Sequence, residues 1–370
     1  GRETLDGKPN DRLTVTPKNG KSFDAWFDAK THLLTQIAEP RQFFDTRVFY
    51  SDYRRKGGTT VPHKLVLDGG TGKANYETLT LQKFTVSGAQ PLANYARPTT
   101  PPTGATIDGN AASVTMPFRL LNNHIYVQGT VNGKGPYTFI LDTGGHNLIS
   151  PKIAKAIGLT SVGASVGSGA GKGTVVSGFA KVEEIAIGGV RLHDQTAIVQ
   201  NIYDKSIEGI PVDAMVGFEL IRRMVTRIDY GAHTLTFTDP AKFKPVDAGK
   251  PVPFEFYDHL PQVEGDAGGI AGIFDIDTGS RSEVDITSPS VEKFKLREKY
   301  ARGVTAVTGW GVGGPVESYV VRLPFLTLGG QKQESVVAAL DAPNSGSKSD
   351  PNFLCNVGSG FLKRYVGRLD

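Results

Sequence analysis

The chain has a single cysteine, Cys355. That excludes an intrachain disulfide and a cysteine-built zinc site. Methionine is scarce at 3 residues and tryptophan at 2. No apolar run approaches the roughly 18 residues of a spanning helix, so no membrane span is expected. No block of like charge occurs either: 41 basic and 37 acidic residues leave a net charge of +4, spread along the chain. A nucleic-acid partner is therefore not expected. The 7 histidines are scattered, with no pair or carboxylate cluster at ligand spacing, so no metal is predicted. His146 and His193 read as loop or surface residues. An initiator methionine is missing: the chain opens Gly1-Arg2-Glu3, which predicts a processed or cut chain.

Glycine is plentiful, 45 among 370 residues, against roughly 7% on average. Hydrophobic residues at 39%, with 19 Phe and 12 Tyr, suit a folded chain. The length predicts two or three domains, and the glycine-rich, turn-rich composition favours β structure.

Residues 1–95 read as an antiparallel β accessory domain. Leu13-Thr14-Val15-Thr16 alternates, Lys18-Asn19-Gly20-Lys21 predicts a hairpin turn, and Phe23-Asp24-Ala25-Trp26-Phe27 follows. A second turn is expected near Asp28–Thr31, and further strands at 46–53, 59–67 and 75–86. In the last, alternation predicts a half-buried strand. The meander loosely resembles a lipoprotein-carrier type of β domain from bacterial envelopes. That implies a first half upstream of Gly1. Residues 96–105 form a linker around Arg97-Pro98-Thr99-Thr100-Pro101-Pro102-Thr103-Gly104, too proline-rich to pack as a core. Its exposure also makes it a candidate self-cleavage site.

Beyond the linker the chain repeats itself. His124-Ile125-Tyr126-Val127 leads to Ile140-Leu141-Asp142-Thr143-Gly144-Gly145, and His259-Leu260-Pro261-Gln262-Val263 leads to Asp275-Ile276-Asp277-Thr278-Gly279-Ser280. The histidines (259 − 124) and the aspartates (277 − 142) are both 135 residues apart. Downstream, Gly217-Phe218-Glu219-Leu220-Ile221 matches Gly358-Ser359-Gly360-Phe361-Leu362, and Arg227-Ile228-Asp229 matches Arg368-Leu369-Asp370. Two homologous units follow, 106–246 and 247–370, expected as a pseudo-twofold pair. The second stops where the first continues into a turn and strand, so its last strand is expected to be missing. Short helices are expected near 151–158, 218–224 and 289–295.

Each unit carries Asp-Thr-Gly after an apolar strand, then a second landmark, Met215-Val216-Gly217 or Asn356-Val357-Gly358. With these motifs the chain resembles the retropepsin-like aspartic proteases of the pepsin clan, in the bacterial form with two copies in one chain, over roughly residues 110–370. The resemblance implies mainly-β lobes that pair within one monomer, with Asp142 and Asp277 as the catalytic pair. It implies that Thr143 and Thr278 hydrogen-bond across the pair, and that each landmark threads beneath its loop. The chemistry stands by itself: two carboxylates about 3 Å apart cannot both ionise, so they share a proton, one serving as base and one as acid. Gly144 and Gly279 permit a tight loop. No cofactor is needed, because the carboxylates activate water.

Two positions depart from the family pattern. Ser280 is expected to bond its aspartate, whereas Gly145 cannot and adds flexibility. Asn356 stands where an apolar residue is usual, as a satisfied amide or as drift. Substrate-covering flaps are expected at Gly167-Ser168-Gly169 and at Gly309-Trp310-Gly311. There Trp310 either covers a substrate side chain or belongs to the core.

Rival motifs fail on context. Gly171-Lys172 is followed by Gly173, so no phosphate loop forms. Gly309, Gly311 and Gly314 match a dinucleotide pattern, but Pro315 and a strand follow. Gly163-Ala164-Ser165-Val166-Gly167 matches a nucleophile elbow, but glycines follow where a helix is required. The expectation is an aspartic endopeptidase acting on peptide or protein, exported to the periplasm or envelope of a bacterium. The competing expectation is an inactive relative that holds peptide or lipoprotein segments.

Overall fold

Alternating apolar and polar residues between turn signals produce strands along most of the chain in the computed structural model. It describes residues 1–18, 22–40, 45–68, 73, 76–89, 91, 104–202, 205–245, 249–341 and 346–370. Two units emerge, Gly1–Thr99 and Thr100–Asp370.

The first unit is a seven-stranded antiparallel meander. Its strands Arg2–Leu5, Lys8–Val15, Phe23–Asp28, Leu34–Pro40, Asp45–Lys56, Thr59–Asp68 and Glu77–Thr80 lie in chain order. Its buried apolar set is small, with Ala25, Trp26 and Ala38 at its centre. Polar contacts supplement it: Trp26 Nε1 donates to Glu3 Oε2 at 2.9 Å, and Thr35 Oγ1 donates to Asn10 Oδ1 at 2.6 Å. The strand expected at 75–86 is shorter, Glu77–Thr80, and is not half-buried, since Leu79 is 53% exposed. Among the described residues it pairs only with Thr59–Asp68, and all four of its residues are exposed; alternation buries a face only where another element packs on it. The Asn19-Gly20 turn and nearly all of the linker lie outside the described residues.

The second unit contains two sheets built to the same plan. The first runs Arg119–Leu121, His124–Val131, Lys134–Leu141, Ala214–Val216, Leu148–Ile149, Val190–Val199, Thr174–Ile187, Val162–Ser168. The second runs Glu255–Tyr257, Leu260–Ala267, Ala271–Asp277, Cys355–Gly358, Val284–Ile286, Gln331–Asp341, Gly314–Leu328, Val304–Gly311. In each, the strand that leads into the Asp-Thr-Gly loop pairs in parallel with the second landmark: Leu141 opposite Val216, Asp277 opposite Gly358. Such central strands are covered on both faces and need continuous apolar sequence. Phe139, Ile140, Leu141, Ala214 and Val216 are accordingly fully buried.

A four-stranded sheet joins the halves. Val225–Asp229 pairs antiparallel with Val366–Leu369 on one side and with Thr234–Thr238 on the other, and Ser113–Pro117 completes it. Short helices occur at Pro151–Ala156, Phe218–Ile221 and Ser288–Lys293. Ser150 caps the first, its Oγ accepting from Ile153 N at 3.3 Å.

Candidate active site

The two central strands deliver Asp142 and Asp277 to one place. Asp142 follows the strand Lys134–Leu141, and its N–H donates to Val216 O at 2.9 Å. Asp277 ends the strand Ala271–Asp277. Each carboxylate accepts a backbone N–H two residues on: Gly144 N to Asp142 Oδ1 and Gly279 N to Asp277 Oδ1, both 2.8 Å.

Each aspartate also packs on the other loop's glycine. A Cβ on Gly144 would lie 2.8 Å from Asp277 Oδ1, and one on Gly279 would overlap the Asp142 carboxylate. Glycine is required at both because the facing side chain fills the space of a Cβ. Burial first, then the Asp277 charge, pushes the Asp142 carboxyl well above the usual carboxylate range. The Gly144 N–H and the charge of His259 oppose this without reversing it.

Thr143 and Thr278 lock the loops reciprocally. Thr143 N donates to Thr278 Oγ1 at 3.0 Å and Thr278 N to Thr143 Oγ1 at 2.9 Å. Thr143 Oγ1 donates to Ile276 O at 2.8 Å and Thr278 Oγ1 to Leu141 O at 2.9 Å. Both threonines are 1% exposed, so water does not compete for these bonds. Gly217 and Gly358 lie directly under the loops. A Cβ on Gly217 would overlap the Asp142 and Gly145 carbonyls, and one on Gly358 would sit 2.6 Å from Ser280 O.

Ser280 does not bond its aspartate. Its Oγ donates to Asp285 Oδ2 at 3.0 Å. The position beside Asp277 is taken by Asn356, whose Nδ2 donates to Asp277 Oδ2 at 2.7 Å. At the first loop, Gly145 makes room: a Cβ there would lie 2.6 Å from the Met215 sulfur.

The two expected flaps are hairpin tips that meet. Gly171 N donates to Val312 O at 3.0 Å and Gly173 N to Gly313 O at 2.9 Å. Gly167 and Ser168 lie in the strand Val162–Ser168, and Gly169 O accepts from Ser347 N at 2.9 Å. Gly309, Trp310 and Gly311 end the strand Val304–Gly311. Trp310 is 42% exposed and is not a core residue. The nucleophile-elbow pattern at 163–167 falls inside a strand with no helix after it.

Several residues around the site were not assigned to it from sequence. His259 Nε2 bonds Gly144 O at 2.8 Å, and its ring lies 4.5 Å from that of His146. His146 in turn pairs with Glu219 at 2.7 Å. At the positions matched to these by the repeat, buried Glu208 joins His124 at 3.1 Å, Tyr126 at 2.7 Å and Arg281 at 2.5 Å. Burial disfavours the Glu208 charge, but these partners outweigh it and pull the carboxyl down to about 2. The 135-residue spacing that pairs the aspartates also pairs His124 with His259 and His146 with Arg281. That signal was available in the sequence. A groove of about 520 Å³ lies beside Arg281, lined by Asn123, Glu283, Thr308, Val320 and Val337 among others.

Buried Lys348 lies 2.9 Å from Asp285 and 4.0 Å from Asp341. Among the described residues no group of three His, Cys, Asp or Glu side chains is placed to hold a metal. No helix there is long and apolar enough to cross a membrane.

A family model described as aspartyl protease matches residues 127–220, which include Asp142-Thr143-Gly144 and Met215-Val216-Gly217. Over this segment the chain is similar to the aspartyl protease family. The second half of the chain lies beyond the matched residues. No curated protein matches the sequence. Among solved structures, the chain is similar to a retropepsin-like aspartic protease from Rickettsia conorii. Identity is 13% over 32% of this chain and 79% of that one, with a TM-score of 0.24. The chain is also similar to Basic 7S globulin from soybean, at 11% identity over 70% of this chain and 92% of that one, with a TM-score of 0.38.

Proposed function

We propose that the protein is an aspartic endopeptidase in which Asp142 and Asp277 activate one water between two paired lobes of a single chain. The observation that carries this reading is the mutual packing of each aspartate on the other loop's glycine. The groove beside Arg281 offers room for substrate side chains, and the two hairpin tips are suited to cover a bound peptide.

The chemistry balances as follows. Water gives a proton to the ionised carboxylate as its oxygen bonds the scissile carbonyl carbon. The protonated carboxyl gives its proton to the carbonyl oxygen. The resulting diol collapses and the C–N bond breaks. The leaving nitrogen takes the proton held by the former base, and a diol hydroxyl returns one to the other carboxylate. The products are an acid and an amine, and the pair again holds one proton. Export to a bacterial envelope belongs to the same reading, supported by the form of the N-terminal meander.

Cleavage of a diverse peptide mixture between about pH 3 and 8, read by mass spectrometry, tests this. Activity should vanish in both Asp142→Asn and Asp277→Asn, because neither carboxylate replaces the other. Cleavage surviving in either variant, or absent from the parent at every pH, would reject it.

A further inference from the structure

The two halves differ at three aligned ladder positions behind the carboxylates. In the first half Met215 pairs with Ile140 on one side and Leu148 on the other. In the second half Asn356 occupies that place, between Asp275 and Asp285. The first trio belongs to a small apolar cluster with Tyr126 and Val212. The second trio is polar, with Asp275 and Asp285 each 1% exposed and Asn356 8%. Asn356 Nδ2 donates to Asp277 Oδ2, while Asn356 Oδ1 is buried without a hydrogen-bond partner among the described residues. A buried carbonyl left unsatisfied is costly, so the stabilising contact of this amide is the bond its N–H gives to Asp277.

We infer that Asn356 makes the pair asymmetric: it holds Asp277 as the ionised base and leaves the shared proton on Asp142. This rests on reading Asp142 and Asp277 as one proton-sharing pair. Asn356 acts through Asp277 and is a positioning residue.

The surrounding groups can be weighed in turn. The Gly144 and Gly279 N–H groups act equally on the two carboxylates and cancel. On the Asp142 side stands His259, whose charge favours an ionised Asp142; it reaches the loop through the Gly144 carbonyl. On the Asp277 side stand Asn356 in direct contact and the Lys348 cation, which is shared with Asp285 and Asp341. Tyr230 also faces Asp277 while bonding Ser359 at 2.9 Å, and its hydroxyl stays neutral up to about 12. Around Asp142 the neighbours are Gly145 and the Met215 sulfur, which give no hydrogen bond to a charge. A direct charge-assisted bond outweighs a charge acting past an intervening peptide.

Carbon-13 NMR of the Asp carboxyl groups tests this without reference to cleavage. Signals are assigned with Asp142→Asn and Asp277→Asn. As pH falls, Asp142 should take the first proton while Asp277 keeps its carboxylate shift. In Asn356→Leu and Asn356→Met, the lower of the pair's two steps should rise by about one pH unit. The upper step should stay, because Asn356 bonds an ionised Asp277 on both sides of it. The acid limb of peptide cleavage should move with the lower step. A merely structural role would lower the rate at every pH and leave the limb in place.

If neither variant folds, the titration order in the parent decides. Asp277 taking the first proton, with the amide turned to accept from it, would overturn the inference. So would folded variants that titrate like the parent. A parent that cleaves nothing yet keeps Asp277 ionised rejects only the protease reading and upholds this one.

Discussion

The rings of His146 and His259 meet with centroids 4.5 Å apart and planes tilted by 37°, one from each half of the second unit. Each has its own acid: Glu219 for His146, and Asp258 at 3.2 Å for His259. Burial disfavours a charged His259. Asp258, the Gly144 carbonyl and Asp142 together outweigh that and raise it above its ordinary value of 6.5. A raised folded value stabilises the fold fully below the unfolded value, and that contribution is lost as pH rises through the folded one. His259→Gln should therefore lower the melting temperature more near pH 5.5 than near pH 8.5. Equal losses in a thermal series at both pH values would remove charge from the explanation.

Gly279→Ala places a methyl group where the Asp142 carboxylate lies. The loops must part, and a displacement of about 1 Å costs on the order of 100-fold in rate. Gly231→Ala, whose Cβ would meet nothing nearer than 3.5 Å, should leave kcat near the parent value. Steady-state cleavage by the two variants makes the comparison.

Asp142 is held above the usual carboxylate range, so between the unfolded and folded values the folded state holds a proton that the unfolded chain has lost. Stability therefore falls as pH rises from the unfolded value toward the folded one. Asp142→Asn removes this penalty. It should raise the melting temperature by about 2–4 °C near pH 7.5 and give no gain near pH 3. Calorimetry at both pH values checks the sign.

Lys348 compensates two buried acids, Asp285 and Asp341. Burial, with the Asp285 charge adding, raises Asp341 to about 7 even with Lys348 opposing. Lys348→Met should cost about 3–5 kcal/mol by leaving buried charge unpaired. The loss should be smaller near pH 5 than near pH 8, because a protonated Asp341 needs no cation. Urea unfolding at the two pH values measures it.

The central strands were legible because their apolar runs end in Asp-Thr-Gly twice, and strands buried on both faces leave that pattern in any chain. The accessory meander was legible from alternation, except at its last strand. There Leu79 alternates correctly yet stays exposed, because alternation marks a face but does not supply an element to cover it. The partner of Ser280 was misjudged for a related reason. Adjacency in sequence pointed to Asp277, but strand pairing places Asp285 within its reach and gives Asp277 to Asn356.

What the sequence determined by itself is therefore periodic and local. It set the strands, the doubled motif, the glycines at the loop tips and the 135-residue spacing that pairs Asp142 with Asp277. What tertiary structure alone decided is which groups face each carboxylate. The His259 contact to Gly144 spans 115 positions and the Asn356 contact to Asp277 spans 79. Hydrogen bonds and charge interactions act over a few ångströms, so they follow the register of the sheets and not the order of the chain.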